Sequence, residues 1–142
     1  MQRTDDAAAS FASIFRNHHR QCVSLAKQFA IEDPSLKDSV ALEKLCRASQ
    51  EMLDQAKAAR ALTEIYVSLD EKHRDVVRPI IIGRFKDILK SAEASWKRFC
   101  DSIQFIRPAR SEIESARRNF EPHADEFQDT LRRFIELGDK TV

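Results

Sequence analysis

Seven side chains of this chain are histidines or cysteines, kinds that bind metals, move protons or attack carbon: His18, His19, His73, His123, Cys22, Cys46 and Cys100. A helical metal site takes ligands one turn apart, as in His-x-x-x-His, or Glu-x-x-His pairs on two helices, so that lone pairs converge on one ion. Neither pattern occurs. The cysteines show no Cys-x-x-Cys spacing, so a zinc site is not indicated. Nucleophilic catalysis needs a base placed against a cysteine in a cleft, and nothing in the spacing supplies such a pair. The expectation is a chain with no catalytic residues, no metal and no cofactor.

The elements that must position these residues are helices. The chain has 142 residues, 42% hydrophobic and 33% charged, with two glycines and four prolines. Few turn residues and many strong helix formers fit long helices with short loops. Helix one is expected from about Ala7 to Ile31, capped by Asp5 or Asp6. Its Phe11, Phe15, His18, Cys22, Leu25 and Phe29 alternate by four and three, a heptad seam that places His18 in a core or interface. Pro34 marks a break. Helix two is expected from about Leu36 to Ser68, with Leu42, Leu45, Met52, Ala56, Ala59, Leu62, Tyr66 and Leu69 on one face. Helix three follows from Asp70 to about Ile106, where Pro108 ends it. Its stripe is Val77, Ile81, Phe85, Ile88, Ala92, Trp96, Phe99, Ile103 and Ile106. Helix four runs from Ala109 to Leu137, with a kink or short break near Pro122 and Gly138 as its stop. Its stripe is Ile113, Ala116, Phe120, Phe127, Leu131 and Phe134. The predicted fold is all-α: one domain over 1–142, an elongated antiparallel bundle of about four helices kinked at Pro79 and Pro122, with disordered ends at about 1–5 and 139–142.

The stretch "SLDEKHRDVVRPIII" has a physical reading of its own. Asp70 suits a helix N-cap, because its carboxylate accepts from amides two and three residues on. His73 sits where a polar side chain reaches back to the cap, and Leu69 is placed to staple the start onto Val77. Pro79 deletes one helix bond and kinks the helix without ending it, since the apolar stripe keeps its phase. The run from Leu69 to Arg74, followed by Val77, Arg78, Pro79, Ile80 and Ile81, also resembles the LTxxQ signature of the Spy/CpxP-like helical proteins. There the motif opens a helix and an apolar segment follows. The likeness spans roughly residues 50 to 90. Asp70 stands in place of the motif's Thr and His73 in place of its Gln, and "SARRNFEPHADEF" fills the region of the second motif without matching it. The resemblance implies no catalysis. It implies an ATP-independent chaperone that holds clients on a concave, often dimeric, surface, or a stress-accessory protein. The adjacent His18 and His19 are similar in type to the phosphate acceptor of phosphotransfer bundles, but "RNHHRQC" lacks that family's lysine and glycine.

Binding, rather than chemistry, is therefore the expected activity: protein clients, or alternatively a partner helix of an adaptor or scaffold, with a homodimer as the candidate assembly. The apolar residues outside the seams are the candidate surface: Ile14, Ile80, Ile82 and Phe105. Lys and Arg total 24 against 23 for Asp and Glu. A net charge of +1 makes no case for nucleic acid. The basic pairs at Arg117-Arg118 and Arg132-Arg133 are interleaved with acids at helix spacing. No run approaches the roughly 20 apolar residues of a membrane span. The first residues carry no basic-then-apolar leader, so the expected compartment is the cytoplasm, or the periplasm if Met1 replaces a removed signal peptide. A hairpin turning near Pro34 sets Cys22 and Cys46 at equal height on facing stripes. In an oxidising compartment they are a candidate disulfide, closing a loop worth about 3 kcal/mol. Cys100 is expected to be buried beside Phe99.

Overall fold

The computed structural model describes residues 2–32, 36–104 and 111–140, with side-chain surroundings defined for 10–29, 40–104 and 112–138. They form four helices: α1 (Gln2–Glu32), α2 (Leu36–Ser68), α3 (Glu71–Ile103) and α4 (Ser111–Lys140). No strand occurs among the described residues. Each helix packs on the next, and α4 packs on α1, which closes a four-helix ring. At 33 residues, α2 and α3 each span about 50 Å. They are joined by Leu69 and Asp70 alone, so they must run antiparallel. The breaks expected at Pro34 and Pro108 lie outside the described residues.

The apolar stripes read from the sequence are the faces that meet. Phe15, Phe29, Leu45, Phe99, Ile113 and Leu131 are all fully buried. Small residues such as Ala12, Ala48, Ala56, Ala92 and Ala116 are buried between them, where they let backbones approach closely. The densest part of the core is aromatic. Phe11 meets Phe127 edge-on at 5.2 Å, and Phe15 meets Phe120 at 4.8 Å and Phe127 at 5.1 Å. Trp96 stacks on Phe99 at 5.5 Å. These pairs tie α1 to α4 and brace α3 beside them. Each adds about 0.5–1.5 kcal/mol beyond its burial. Buried hydroxyls cost little here because each bonds its own helix. Thr63 donates to the carbonyl of Ala59 at 2.8 Å, Ser95 to that of Ser91 at 2.9 Å and Ser102 to that of Arg98 at 2.7 Å.

The turn between α2 and α3 is held from both sides. Asp70 caps α3: the His73 N–H donates to its Oδ1 at 2.9 Å, and His73 Nδ1 lies 2.6 Å from the same oxygen. The backbone bond first, and then the ring, hold the Asp70 carboxyl below the usual carboxylate range. Arg74 closes the other side. Its Nε donates to the Tyr66 carbonyl at 3.0 Å and a terminal nitrogen donates to the Val67 carbonyl at 2.7 Å. The guanidinium carbon lies 5.8 Å from the Tyr66 ring centre. One side chain near the start of α3 thus satisfies the Val67 carbonyl at the end of α2 and gives a second donor to the Tyr66 carbonyl, which also accepts from the Leu69 N–H at 3.3 Å.

Several bounds differ from those expected. α1 starts at Gln2 rather than Ala7, and α3 ends at Ile103 rather than Ile106. Gln104 closes α3, its N–H donating to the Asp101 carbonyl at 3.2 Å. Both prolines lie inside helices that continue past them, so Pro122 introduces no break. Gly138 is not a stop: α4 runs through it to Lys140. Its use is room, because a Cβ there would collide with the Cδ1 of Ile82. Ile82 fills that space and is 6% exposed, so it is a core residue and not surface as expected.

Phe99 shows no exposed surface and contacts rings of α1 and α3. Phe99→Ala should lower unfolding free energy by about 3–5 kcal/mol in urea denaturation, with an unchanged slope.

Candidate functional site

The α1–α2 interface gathers four of the chemically capable side chains into one polar cluster. His18 and Cys22 lie one turn apart on α1, with His18 Nε2 at 3.7 Å from Cys22 Sγ, both buried. From α2, Ser49 donates its proton to the Cys46 carbonyl at 2.8 Å. Its oxygen is then free to accept from His19, whose Nδ1 lies 2.8 Å away. That requires the proton of His19 to sit on Nδ1. Cys46 is half-buried and close enough for its charge to be felt at Cys22. Both cysteines are free thiols in this structure.

A cysteine beside a histidine invites comparison with a thiolate–imidazolium nucleophile, and the electrostatics run the other way. Burial first, and the neighbouring His19 second, lower the His18 pKa to about 4. Burial pushes the Cys22 thiol up to about 12. Moving the proton from sulfur to imidazole is therefore uphill, because burial disfavours both charged forms. His18 instead acts as an aromatic ring. It stacks on Phe120 at 3.7 Å with 5° between planes, and meets Phe99 edge-on at 5.1 Å. A neutral imidazole packs there; a charged one would lose its water with no carboxylate to replace it. Burial also raises the thiol pKa of Cys46 and of Cys100. Cys100 is half-buried rather than buried beside the fully buried Phe99, because position 100 turns toward the α4 edge near Arg117.

The remaining candidate residues fall in separate places. Leu69 is half-buried in the turn, Asp70 and His73 are exposed at the cap, and Pro79 is exposed on α3. Ile80 is 65% exposed. Ile14 is half-buried against the core. Phe105 lies outside the described residues. No group of three or more His, Cys, Asp or Glu side chains is arranged to hold a metal among the described residues. No described helix is long and apolar enough to cross a membrane. On α4, Arg117 pairs with Glu114 at 2.6 Å and Glu121 at 3.3 Å, and Arg132 with Asp129 at 2.8 Å. These basic residues are largely neutralised at helix spacing.

Sequence reasoning missed two features. The contact of His18 with Cys22 had a signal in the chain, a spacing of four residues on one seam. Arg74 had none beyond its place in the first turn of α3. Comparison with known proteins finds no matching family model, no matching curated protein and no matching solved structure.

The buried imidazole makes stability depend on pH. The folded-state pKa of His18, about 4, lies below the ordinary value near 6.5, so the unfolded chain binds the proton first. Stability is complete above about pH 6.5 and falls as pH drops toward 4, by about 3 kcal/mol from this group. Urea midpoints measured across that window should show this slope, and His18→Phe, which keeps the stack on Phe120, should remove most of it.

Proposed function

We propose that the protein is a non-enzymatic helical binding protein, an adaptor that docks an amphipathic partner helix on its α2–α3 face. The observation that carries this reading is where the exposed apolar residues lie. Ile65 is 55% exposed, Val76 73% and Ile80 65%. Val76 and Ile80 stand one turn apart on α3 and continue into Arg84. Arg84 and Ile65 line one groove of about 500 Å³ with Ala58, Leu62, Asp87 and Ile88. An apolar floor with a charged rim suits a helix that presents anchors at positions i, i+3 or i+4, and i+7. Arg84 and Asp87, of opposite charge on one face, would set its direction. A second copy of the chain offers the same pairing, with Arg84 of one protomer opposite Asp87 of the other.

The absence of catalysis belongs to the same reading. Its support is the cluster at His18 and Cys22, whose shifted pKa values oppose nucleophile activation. A chaperone of the Spy-like, stress-responsive kind would use the same exposed residues to hold unfolded clients without ATP. A groove lined by Ile65, with Ile80 one turn before its Arg84, favours a defined partner over that alternative.

A photo-crosslinking amino acid at position 80 tests the reading in the native host. The expected result is one or two discrete adducts, lost when Ile65→Asp is added, while the variant's stability stays within about 0.5 kcal/mol of the parent. A smear of many clients, together with ATP-free suppression of aggregation, would move the assignment to a chaperone. Adducts no different from those formed from position 136, on the exposed side of α4, would contradict a binding role for this face.

A further inference from the structure

We propose that the cleft between α2, α3 and α4 binds a medium-chain carboxylate, its alkyl chain between the helices and its carboxylate on Arg78. The cleft lies where α2 ends and α3 begins, and Tyr66, Ile81, Phe85 and Phe134 are among its walls. Its free volume is about 290 Å³. That is about twice an apolar cavity that stays dry and accepts benzene, which sets the guest at an alkyl chain on the order of ten carbons. Thr63, the other hydroxyl in the wall, already donates to the Ala59 carbonyl at 2.8 Å. The floor therefore rewards an apolar chain.

The polar end is equally defined. The Arg78 side chain is 22% exposed: its stem packs in the wall while its charge opens to solvent at the mouth. It donates to Asp75 at 2.7 Å and lines the cleft together with Tyr66. A guanidinium carries five N–H donors, and Asp75 does not exhaust them. Asp75 is 60% exposed, so water screens much of its charge, and a second carboxylate on the cleft side of the fork is tolerated. A cationic amphiphile would be repelled by Arg78, and an alcohol would forgo the ion pair. Tyr66 and Arg78 place the carboxylate at the mouth, and Phe85 and Phe134 receive the chain. This site is separate from the outer α2–α3 face, since neither Ile65 nor Ile80 lines it. Either assignment can fail while the other stands.

Tyr66 is the only tyrosine in the chain, so its ring signals report on this cleft without ambiguity. Full-length protein with labelled tyrosine is titrated with decanoate, decanol and decyltrimethylammonium below their micelle concentrations. The expected result is a saturable shift with decanoate, at least tenfold weaker binding of decanol, and none of the cation. Affinity should rise about fourfold per methylene from hexanoate to decanoate. Arg78→Met should weaken decanoate tenfold or more and leave decanol within twofold. No saturable shift with decanoate, or decanol binding as tightly as decanoate to the unaltered protein, would overturn the proposal. Those two outcomes are read without any variant, so a misfolded Arg78→Met does not shelter it.

Discussion

The bundle depends on one contact above the others: the flat stack of the His18 ring on Phe120. That stack joins the middle of α1 to α4, and the edge of the same imidazole rests on Phe99 of α3. Three helices therefore meet at one side chain, and the fourth is brought in through the bond of His19 to Ser49. Everything about the site follows from keeping this ring neutral. Burial lowers its pKa, neutrality permits the stack, and the stack maintains the burial. The Cys22 thiol beside it is raised by the same lack of water. The burial that keeps the imidazole neutral and the thiol protonated opposes activation of this pair.

With the interior committed to packing, the outward surfaces are left for function. α2 and α3 are joined by the two-sided turn at Asp70 and Arg74. Their outer side carries Ile65, Val76 and Ile80, and their inner side, with α4, forms the cleft at Tyr66 and Arg78. Both features lie near the turn end of the bundle. The i,i+3 and i,i+4 ion pairs along α4 add little energy, about 0.5 kcal/mol or less each, and serve to keep that helix's exposed side polar.

Much of the fold was legible in the residues. Helical periodicity placed α2 at its observed bounds, assigned the stripes of all four helices, and identified Asp70 as a cap. These are local signals, carried by spacing and by side-chain chemistry within one turn. What escaped was tertiary. Ile80, Ile81 and Ile82 are chemically alike, and only the position of α4 makes Ile82 buried and Ile80 exposed. Gly138 reads as a helix stop until Ile82 is seen to need its missing side chain. Arg74 reaches back across the turn to carbonyls seven and eight residues earlier, a reach that no periodicity encodes. The polar cluster was half legible: the seam put His18 and Cys22 inward, but its partner Ser49 comes from another helix.

The central claim is that the buried histidine–cysteine cluster is packing and not chemistry, and the reactivity of Cys22 tests it most directly. The folded protein is exposed to iodoacetamide at pH 8, and each cysteine is followed by peptide mass spectrometry. With its pKa at about 12, Cys22 holds about one thiolate in ten thousand at that pH. The account predicts that Cys22 is alkylated orders of magnitude more slowly in the folded protein than in urea. Alkylation of Cys22 in the folded state as fast as in the unfolded chain, or faster, would mean an activated thiol and would contradict it.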